Sequence, residues 1–309
     1  MSVHPTFEEM VKITKEANNP PVQRQSLAEL RRGPHLIKPL AGEPPPVPRI
    51  LNHMIESGER QQILRMYYPK DKEKLPILLY FHPGCFVKGD IEAHDIVCRQ
   101  VALASGCIVA SVNYSLSPEY KFPAAIEDGY AALDFLAKHA QEVQADGRLA
   151  IGGENAGANI AATLTHRLRD ERGFELDFQV LIYPQLDLTL SHPSINHYGK
   201  GYLLEKDALE WYRSRYLPLQ IEPNDPRVSP IFQPKFEGLP PALIITAEFD
   251  PLKDEGELYA EKLKRAGVPT TLTCYPGMLH GFFQMGGVID EGQQAIHQVG
   301  DALKQVFFK

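Results

Sequence analysis

The sequence has few cysteines, and none of them has a spacing typical of metal or redox sites. Its 309 residues include four, Cys85, Cys98, Cys107 and Cys274, and no two of these form a C-x-x-C pair. No Cys and His pattern has zinc-ligand spacing. A chain of this length can bury enough surface to fold without disulfide staples. We therefore expect reduced thiols, no bound metal and no cofactor.

The sequence also lacks an excess of positive charge and any long apolar run. It has 32 Lys and Arg against 39 Asp and Glu, a formal net charge of −7, whereas nucleic-acid binding needs basic patches. The longest apolar stretches, such as Leu75–Phe81, are too short to span a bilayer. The N-terminal residues MSVHPTFEEM lack the basic and then apolar layout of a signal peptide. These features predict a soluble, cytoplasmic protein with no nucleic-acid partner and no membrane insertion.

From residue 75 onward, short apolar runs alternate with helical patterns. Continuous apolar runs are typical of parallel strands that are covered on both faces. The alternation predicts an α/β fold with a mostly parallel sheet and right-handed crossovers. The predicted strands are Leu75–Phe81, Cys107–Asn113, Leu149–Gly152, Phe178–Tyr183, Ala242–Thr246 and Thr270–Tyr275, and the predicted helices lie near His94–Ser105, Ala124–Ala140, Ala158–Asp170 and Asp254–Ala266.

Two regions fall outside this alternation. Before residue 48, amphipathic stretches at Phe7–Ala17 and Val22–Arg32 lead into a proline-rich segment, and a hairpin of Arg49–Glu56 with Gln61–Tyr68 follows. The second region, about 188–218, contains the only tryptophan, Trp211. We expect this excursion to lie over the carboxyl edge of the sheet, where ligands bind in such folds.

The strongest local pattern is Gly153-Glu154-Asn155-Ala156-Gly157, between a predicted strand and a predicted helix. It has the frame of the nucleophile elbow G-x-S-x-G, with Asn155 at the position of the serine. Asparagine tolerates the left-handed backbone conformation of such a turn better than most residues do. Glycine-rich turns also bind phosphates, but neither G-x-G-x-x-G nor a P-loop pattern is present.

Three further motifs follow predicted strands. His82-Pro83-Gly84-Cys85-Phe86 stands where a hydrolase carries the loop that donates backbone N–H groups to an oxyanion. Asp250 and His280 follow the last two strands. The order of position 155, Asp250 and His280 is the Ser, Asp, His order expected of α/β-hydrolases.

Together with Asn113–Ala125, Glu127-Asp128, Asp225–Pro230 and Asp250–Gly256, these motifs resemble the hormone-sensitive lipase family of α/β-hydrolases, in its bacterial esterase and arylacetamide-deacetylase-like branch. The resemblance runs from about Pro48 to the end of the chain. It implies an eight-stranded, mostly parallel sheet flanked by helices. It further implies one domain over residues 1–309, with a helical cap formed by residues 1–48 and about 188–218.

The resemblance also implies a role for each matching residue. Asp250 would orient His280, which would act as general base and then as general acid. The oxyanion donors would be the N–H groups of Gly84, Cys85 and Ala156. His82 would brace the loop and Glu154 would be a supporting carboxylate, while Phe86, Phe282 and Phe283 are candidates for the pocket lining or, equally, for plain core.

Asn155 is the decisive departure from the family pattern. Imidazole cannot turn an amide into a useful nucleophile, so we expect no acyl-enzyme and lost or very low activity. Its side chain could instead hydrogen-bond His280. Pro83 lacks an N–H group but precedes the two expected donors of the loop. Cys85 as a substitute nucleophile is a weaker hypothesis than Cys85 as a small buried residue.

Three functions therefore stay open. The first is a carboxylesterase for short- to medium-chain acyl esters whose serine has been replaced in this chain. The second is a natural, non-catalytic binder of small molecules, like the plant gibberellin receptors that the same family has produced. The third is general-base or lyase-type chemistry through His280 without a covalent intermediate. The expected partner in each case is a small-molecule ester or ligand, with a homodimer as one assembly.

Overall fold

The computed structural model describes residues 2–171 and 175–309. This part of the chain has eight strands and nine α-helices. The strands are β1 (Arg49–Ser57), β2 (Arg60–Tyr68), β3 (Leu75–Phe81), β4 (Ile108–Val112), β5 (Ala145–Glu154), β6 (Phe178–Ile182), β7 (Ala242–Phe249) and β8 (Thr270–Leu279). The helices are α1 (Pro5–Ala17), α2 (Leu27–Ile37), α3 (Asp95–Ser105), α4 (Ala124–Lys138), α5 (Ala156–Glu171), α6 (Pro193–Tyr198), α7 (Lys206–Tyr216), α8 (Lys253–Arg265) and α9 (Asp290–Phe307).

The strands form one sheet in the order β1-β2-β4-β3-β5-β6-β7-β8. β1 pairs with β2, and β2 with β4, in antiparallel fashion, whereas all other neighbours are parallel. The carboxyl ends of β3, β5, β7 and β8 therefore meet at one edge. The predicted fold class, an eight-stranded and mostly parallel sheet flanked by helices, is confirmed.

Helices cover both faces of the sheet because its central strands are apolar on both sides. All seven residues of β3 are buried. Leu79 and Phe81 pack into the core on the side of α4, α5 and α8, while the alternate residues Leu78 and Tyr80 pack on the side of α3 and α9. Such a strand has no solvent-facing side, which is why its sequence is a continuous apolar run.

All six predicted parallel strands and the hairpin are present, with ends that differ by a few residues. One boundary prediction was wrong: Val22–Arg24 is a 3₁₀ turn, and the α-helix begins at Leu27. The reason is a capping box, in which the Glu29 N–H donates to Ser26 Oγ (3.2 Å) and the Ser26 N–H donates to the Glu29 carboxylate (2.7 Å). Helix α9, which packs on α3, was not predicted.

A third apolar cluster lies beyond the carboxyl edge of the sheet. Cys85 and Val87, from the loop after β3, pack there with Leu209 and Tyr212 of α7. The partly buried Val22 and Leu27 of the N-terminal region contact the same cluster. The two regions outside the α/β alternation thus meet next to the loops that follow the strands. In the part of the chain that is described, no helix combines the length and apolarity needed to cross a membrane.

Candidate active site

The turn between β5 and α5 is sharp because glycines on both sides of Asn155 allow a close backbone approach. A Cβ atom on Gly153 would lie 2.5 Å from the carbonyl oxygen of Phe81, and one on Gly157 would lie 2.0 Å from the same oxygen. Both distances are shorter than any side chain allows. Asn155 has a φ of 51°, the left-handed conformation expected of an elbow residue.

The backbone of Asn155 is fixed on both sides. Its N–H donates to the carbonyl oxygen of Ile182 (3.0 Å), and its own carbonyl oxygen accepts from the N–H groups of Asn159 and Gln185 (both 3.2 Å). The side chain is 1% exposed. The turn therefore presents the Asn155 carboxamide in one orientation.

That carboxamide points its oxygen at the loop after β3. Asn155 Oδ1 accepts from the Cys85 N–H (3.0 Å) and from Cys85 Sγ (3.4 Å). Asn155 Nδ2 is buried, and no described residue accepts a hydrogen bond from it. The hydrogen bond to His280 that the Asn155 side chain could have made is therefore absent from the described residues, because the oxygen accepts from Cys85 and the amide nitrogen reaches no acceptor.

The loop that holds Cys85 is backbone-strained. Gly84, Cys85 and Phe86 have φ values of 136°, 52° and 64°, and only the first of them is a glycine. The strained loop turns the N–H of Cys85 toward Asn155. Burial raises the pKa of the Cys85 thiol to about 11, so the sulfur is protonated at neutral pH and can donate a hydrogen bond.

Asp250 and His280 form a pair at the ends of β7 and β8. His280 Nδ1 lies 2.8 Å from Asp250 Oδ2, and the other carboxylate oxygen accepts from the Leu252 N–H (2.8 Å). Asp250 is fully buried, whereas the His280 side chain is 13% exposed. Because the carboxylate accepts the Nδ1 proton, Nε2 of the neutral imidazole carries the free lone pair.

Glu154, the last residue of β5, is buried and has two tyrosine partners. The hydroxyl groups of Tyr80 and Tyr183 both donate to its carboxylate. Burial, together with the Glu154 carboxylate, raises the pKa of both tyrosines well above the ordinary value, so both remain donors at neutral pH. The Tyr183 ring also stands 4.5 Å from the His280 ring, centroid to centroid. The sequence pattern singled out Glu154 but gave no sign of its two tyrosine partners.

His82 is the first residue of the loop after β3 and is fully buried. Its ring stacks on Tyr114 at a centroid distance of 4.1 Å, and Tyr114 donates from its hydroxyl to the carbonyl oxygen of His82 (2.8 Å). Burial, and secondarily the neighbouring His94, lowers the pKa of His82 to about 3. His82 is thus a neutral, packed ring at neutral pH.

The three phenylalanines considered for the pocket are all buried. Phe86 stacks on Tyr216 at a centroid distance of 3.7 Å. Phe282 packs beside Tyr183 and Tyr275, and Phe283 belongs to the core on the α3 and α9 side. These contacts are those of core side chains, and a lining role stays a prediction.

Glu255 lies in the first turn of α8 and is fully buried. Its carboxylate accepts from the N–H groups of Leu186 (2.5 Å) and Asp187 (3.1 Å), in the loop after β6. Complete burial, and secondarily the nearby Asp187, raises the pKa of Glu255 well above the ordinary value. Glu255 thus ties this loop to α8. No group of three or more potential metal ligands occurs among the described residues.

The elbow, the acid–histidine pair and the order of the strands together have the geometry of a hydrolase site. A family model described as the α/β-hydrolase fold matches residues 78–284, about two thirds of the chain. The chain belongs to the α/β-hydrolase family. It is 30% identical to an arylesterase of Saccharolobus solfataricus over 309 residues, which cover 99% of this chain and 100% of the relative.

Two further comparisons place this α/β-hydrolase among esterases. It is 39% identical to the carboxylic ester hydrolase LipN of Mycobacterium tuberculosis over 233 residues, which are 72% of this chain and 62% of that relative. Its fold superposes on a hyperthermophilic esterase of Pyrobaculum calidifontis with a TM-score of 0.93, at 36% identity over 99% of both chains. The resemblance to the hormone-sensitive lipase-like esterases is thereby supported.

Proposed function

We propose that this chain has the scaffold of a carboxylic ester hydrolase for short- to medium-chain acyl esters, in which Asn155 holds the position of the nucleophile. The observation that carries the proposal is the position of the Asn155 side chain. Its carbonyl oxygen accepts the Cys85 N–H (3.0 Å), at the place where the oxyanion of an acyl substrate would be stabilised. The esterase relatives support the substrate class.

In the proposed mechanism, a serine at position 155 would attack the ester carbonyl. His280 would take the serine proton and then give it to the leaving alcohol, while Asp250, 2.8 Å away, would hold the imidazole in the correct tautomer. The N–H groups of Gly84, Cys85 and Ala156 would stabilise the oxyanion. Asn155 cannot perform the attack, and loss of the serine from a related triad costs on the order of 10⁶ in turnover.

Two buried side chains have supporting roles in this proposal. His82 braces the oxyanion loop through its stacking on Tyr114 (4.1 Å between centroids). Glu154 holds the elbow from below through its two tyrosine partners. Neither side chain needs to touch the substrate.

The cap is also part of the proposal. Residues 1–48 and about 188–218 would close the acyl pocket over the carboxyl edge of the sheet. The apolar cluster that joins Val22 and Leu27 to Leu209, Tyr212 and Cys85 supports this role. We further propose a cytoplasmic location, a small-molecule ester as the partner, and a homodimer as the assembly to test.

Restoring the serine tests the function. We expect Asn155→Ser to raise kcat/KM for p-nitrophenyl butyrate by at least about 10⁴-fold over the unchanged chain. The control is Asn155→Ser combined with His280→Gln, which should return to the rate of the unchanged chain. A folded Asn155→Ser variant with no more activity than this control would overturn the esterase proposal.

A non-catalytic binder is the second candidate, and one observation favours it. Asn155 Nδ2 is a buried donor with no acceptor among the described residues. Such a donor suits an acceptor oxygen of a bound ester or acid. Titration calorimetry of the unchanged chain against esters and carboxylic acids should then show micromolar binding that Asn155→Ala weakens about tenfold. An absence of heat with every member of the panel would refute this candidate.

A further inference from the structure

We propose that the site hydrolyses its own Asn155 side chain, converting this residue to aspartate with release of ammonia. The inference rests on the proposed roles of Cys85 and His280 and goes beyond ester hydrolysis. It starts from the position of the Asn155 carboxamide, which lies where an acyl substrate's carbonyl group would lie. Asn155, which prevents ester hydrolysis, is therefore also a candidate substrate of the same site.

The first argument is the polarisation of the Asn155 carbonyl group. Oδ1 accepts from the Cys85 N–H at 3.0 Å and from the Cys85 thiol at 3.4 Å. Both donors would stabilise the negative charge that develops on this oxygen during attack at Cγ. Burial keeps the thiol protonated, because it raises the pKa of Cys85 to about 11.

The second argument is the state of the amide nitrogen. Asn155 Nδ2 is buried and no described residue accepts its hydrogens. An unsatisfied buried donor destabilises the state that contains it. Loss of ammonia removes this donor from the site, so the penalty in the starting state favours hydrolysis. Asn159, four residues later, is equally buried but donates from Nδ2 to the carbonyl oxygens of Gln185 and Val228 at 2.8 Å each.

The third argument is the available base. Asp250 binds Nδ1 of His280, and no described residue hydrogen-bonds its Nε2. The side chain is 13% exposed, so water can reach the ring. A water oxygen adds to Asn155 Cγ while His280 Nε2 takes its proton. The Cγ–Nδ2 bond then breaks, His280 returns the proton to the nitrogen, and the products are an aspartate at position 155 and one molecule of ammonia.

This route differs from ordinary asparagine deamidation, in which the next backbone nitrogen closes a ring on the side chain and yields isoaspartate as well as aspartate. Ring closure needs backbone rotation at Asn155. Hydrogen bonds to Ile182, Asn159 and Gln185 oppose that rotation. Direct hydrolysis yields α-linked aspartate alone, so the product distinguishes the two routes.

The experiment is incubation of the purified full chain at neutral pH, followed by peptide mass mapping. We expect the mass change of amide to acid at position 155, no isoaspartate there, and no change at Asn159. His280→Gln should slow the conversion by at least about 10²-fold. Asp250→Asn should also slow it, but by a smaller factor than His280→Gln. Cys85→Ala, which keeps the backbone donor, should slow it by less than about tenfold.

Three results would overturn the inference: an Asn155 that stays an amide, a conversion that is as fast in His280→Gln, or isoaspartate at position 155. A variant that fails to fold gives isoaspartate by the ring-closing route and is recognised by that product. The p-nitrophenyl butyrate assay of Asn155→Ser separates the two proposals. If the serine variant is active but Asn155 of the original chain stays an amide, only the self-hydrolysis proposal is refuted. If the serine variant is inactive, the esterase proposal is refuted.

Discussion

At the scale of single residues, the groups around position 155 suit a nucleophile, but the Asn155 side chain cannot act as one. In the proposed mechanism, the Asp250–His280 pair (2.8 Å) would act on a nucleophile and the Cys85 N–H on an oxyanion. Asn155 accepts from the second and makes no hydrogen bond to the first among the described residues. The decisive departure from the family pattern is thus the side chain at position 155.

Glu154 and its tyrosine partners give a prediction at this scale. Glu154→Leu should lower the free energy of unfolding by about 2–4 kcal/mol, because it leaves the buried hydroxyl groups of Tyr80 and Tyr183 without an acceptor. The triple variant Tyr80→Phe, Glu154→Leu, Tyr183→Phe should recover most of that loss, since no unpaired group remains. Urea unfolding measures both changes. If the triple variant is less stable than Glu154→Leu, the unpaired hydroxyl groups are not the cause of the lost stability.

The residue scale is also where the sequence was least informative. The sequence predicted that Asp250 and His280 meet, because each follows a strand and parallel strands share an edge. It could not predict that Asn155 Oδ1 turns to Cys85. That choice depends on three successive positive φ values in the loop, a strain that only the packed fold maintains.

At the scale of elements, the close contact between β3 and the elbow explains the glycine pattern. We expect Gly157→Ala to destabilise the protein by more than about 3 kcal/mol or to prevent folding, because its Cβ would lie 2.0 Å from the Phe81 carbonyl oxygen. The matched control is Gly33→Ala in α2, where nothing lies within 4 Å of the new Cβ. This control should gain about 0.5–1 kcal/mol from helix propensity. Equal effects of the two substitutions in urea unfolding would contradict the explanation.

Elements were predictable from the sequence to different degrees. The buried strands were found because a strand covered on both faces has a continuous apolar sequence, as β3 does. The sequence prediction placed the start of the second helix too early. The capping box of Ser26 and Glu29 fixes the start of α2, although the apolar periodicity begins before it. Helix α9 was not predicted although it packs on α3. Its buried residues Ile296, Val299 and Leu303 recur at helical spacing, so the sequence did contain the apolar pattern of this helix.

At the scale of the whole molecule, buried neutral histidines predict how stability depends on pH. Burial lowers the pKa of both His82 and His166 to about 3. In the unfolded chain both have the ordinary value of about 6.5. Between these values the unfolded chain binds protons that the folded chain does not, so stability falls as the pH drops below about 6.5, and this penalty stops growing near pH 3.

The size of this effect is about 1 kcal/mol per pH unit for each histidine between pH 6 and pH 5. His166, which lies 2.9 Å from the Tyr259 hydroxyl and outside the site, is the residue to change. His166→Gln should reduce the slope of the unfolding free energy against pH by about that amount. Chemical unfolding at several pH values measures it, and an unchanged slope would show that His166 is not neutral in the folded protein.

The central claim, that this is an ester hydrolase site lacking only its nucleophile, is tested most directly by covalent labelling. Intact-mass analysis after treatment with a p-nitrophenyl alkylphosphonate should show one adduct on the Asn155→Ser variant, located at residue 155. The same variant with His280→Gln, and the unchanged chain, should show none. A folded serine variant that stays unlabelled, or an unchanged chain that is labelled at Cys85, would contradict the account.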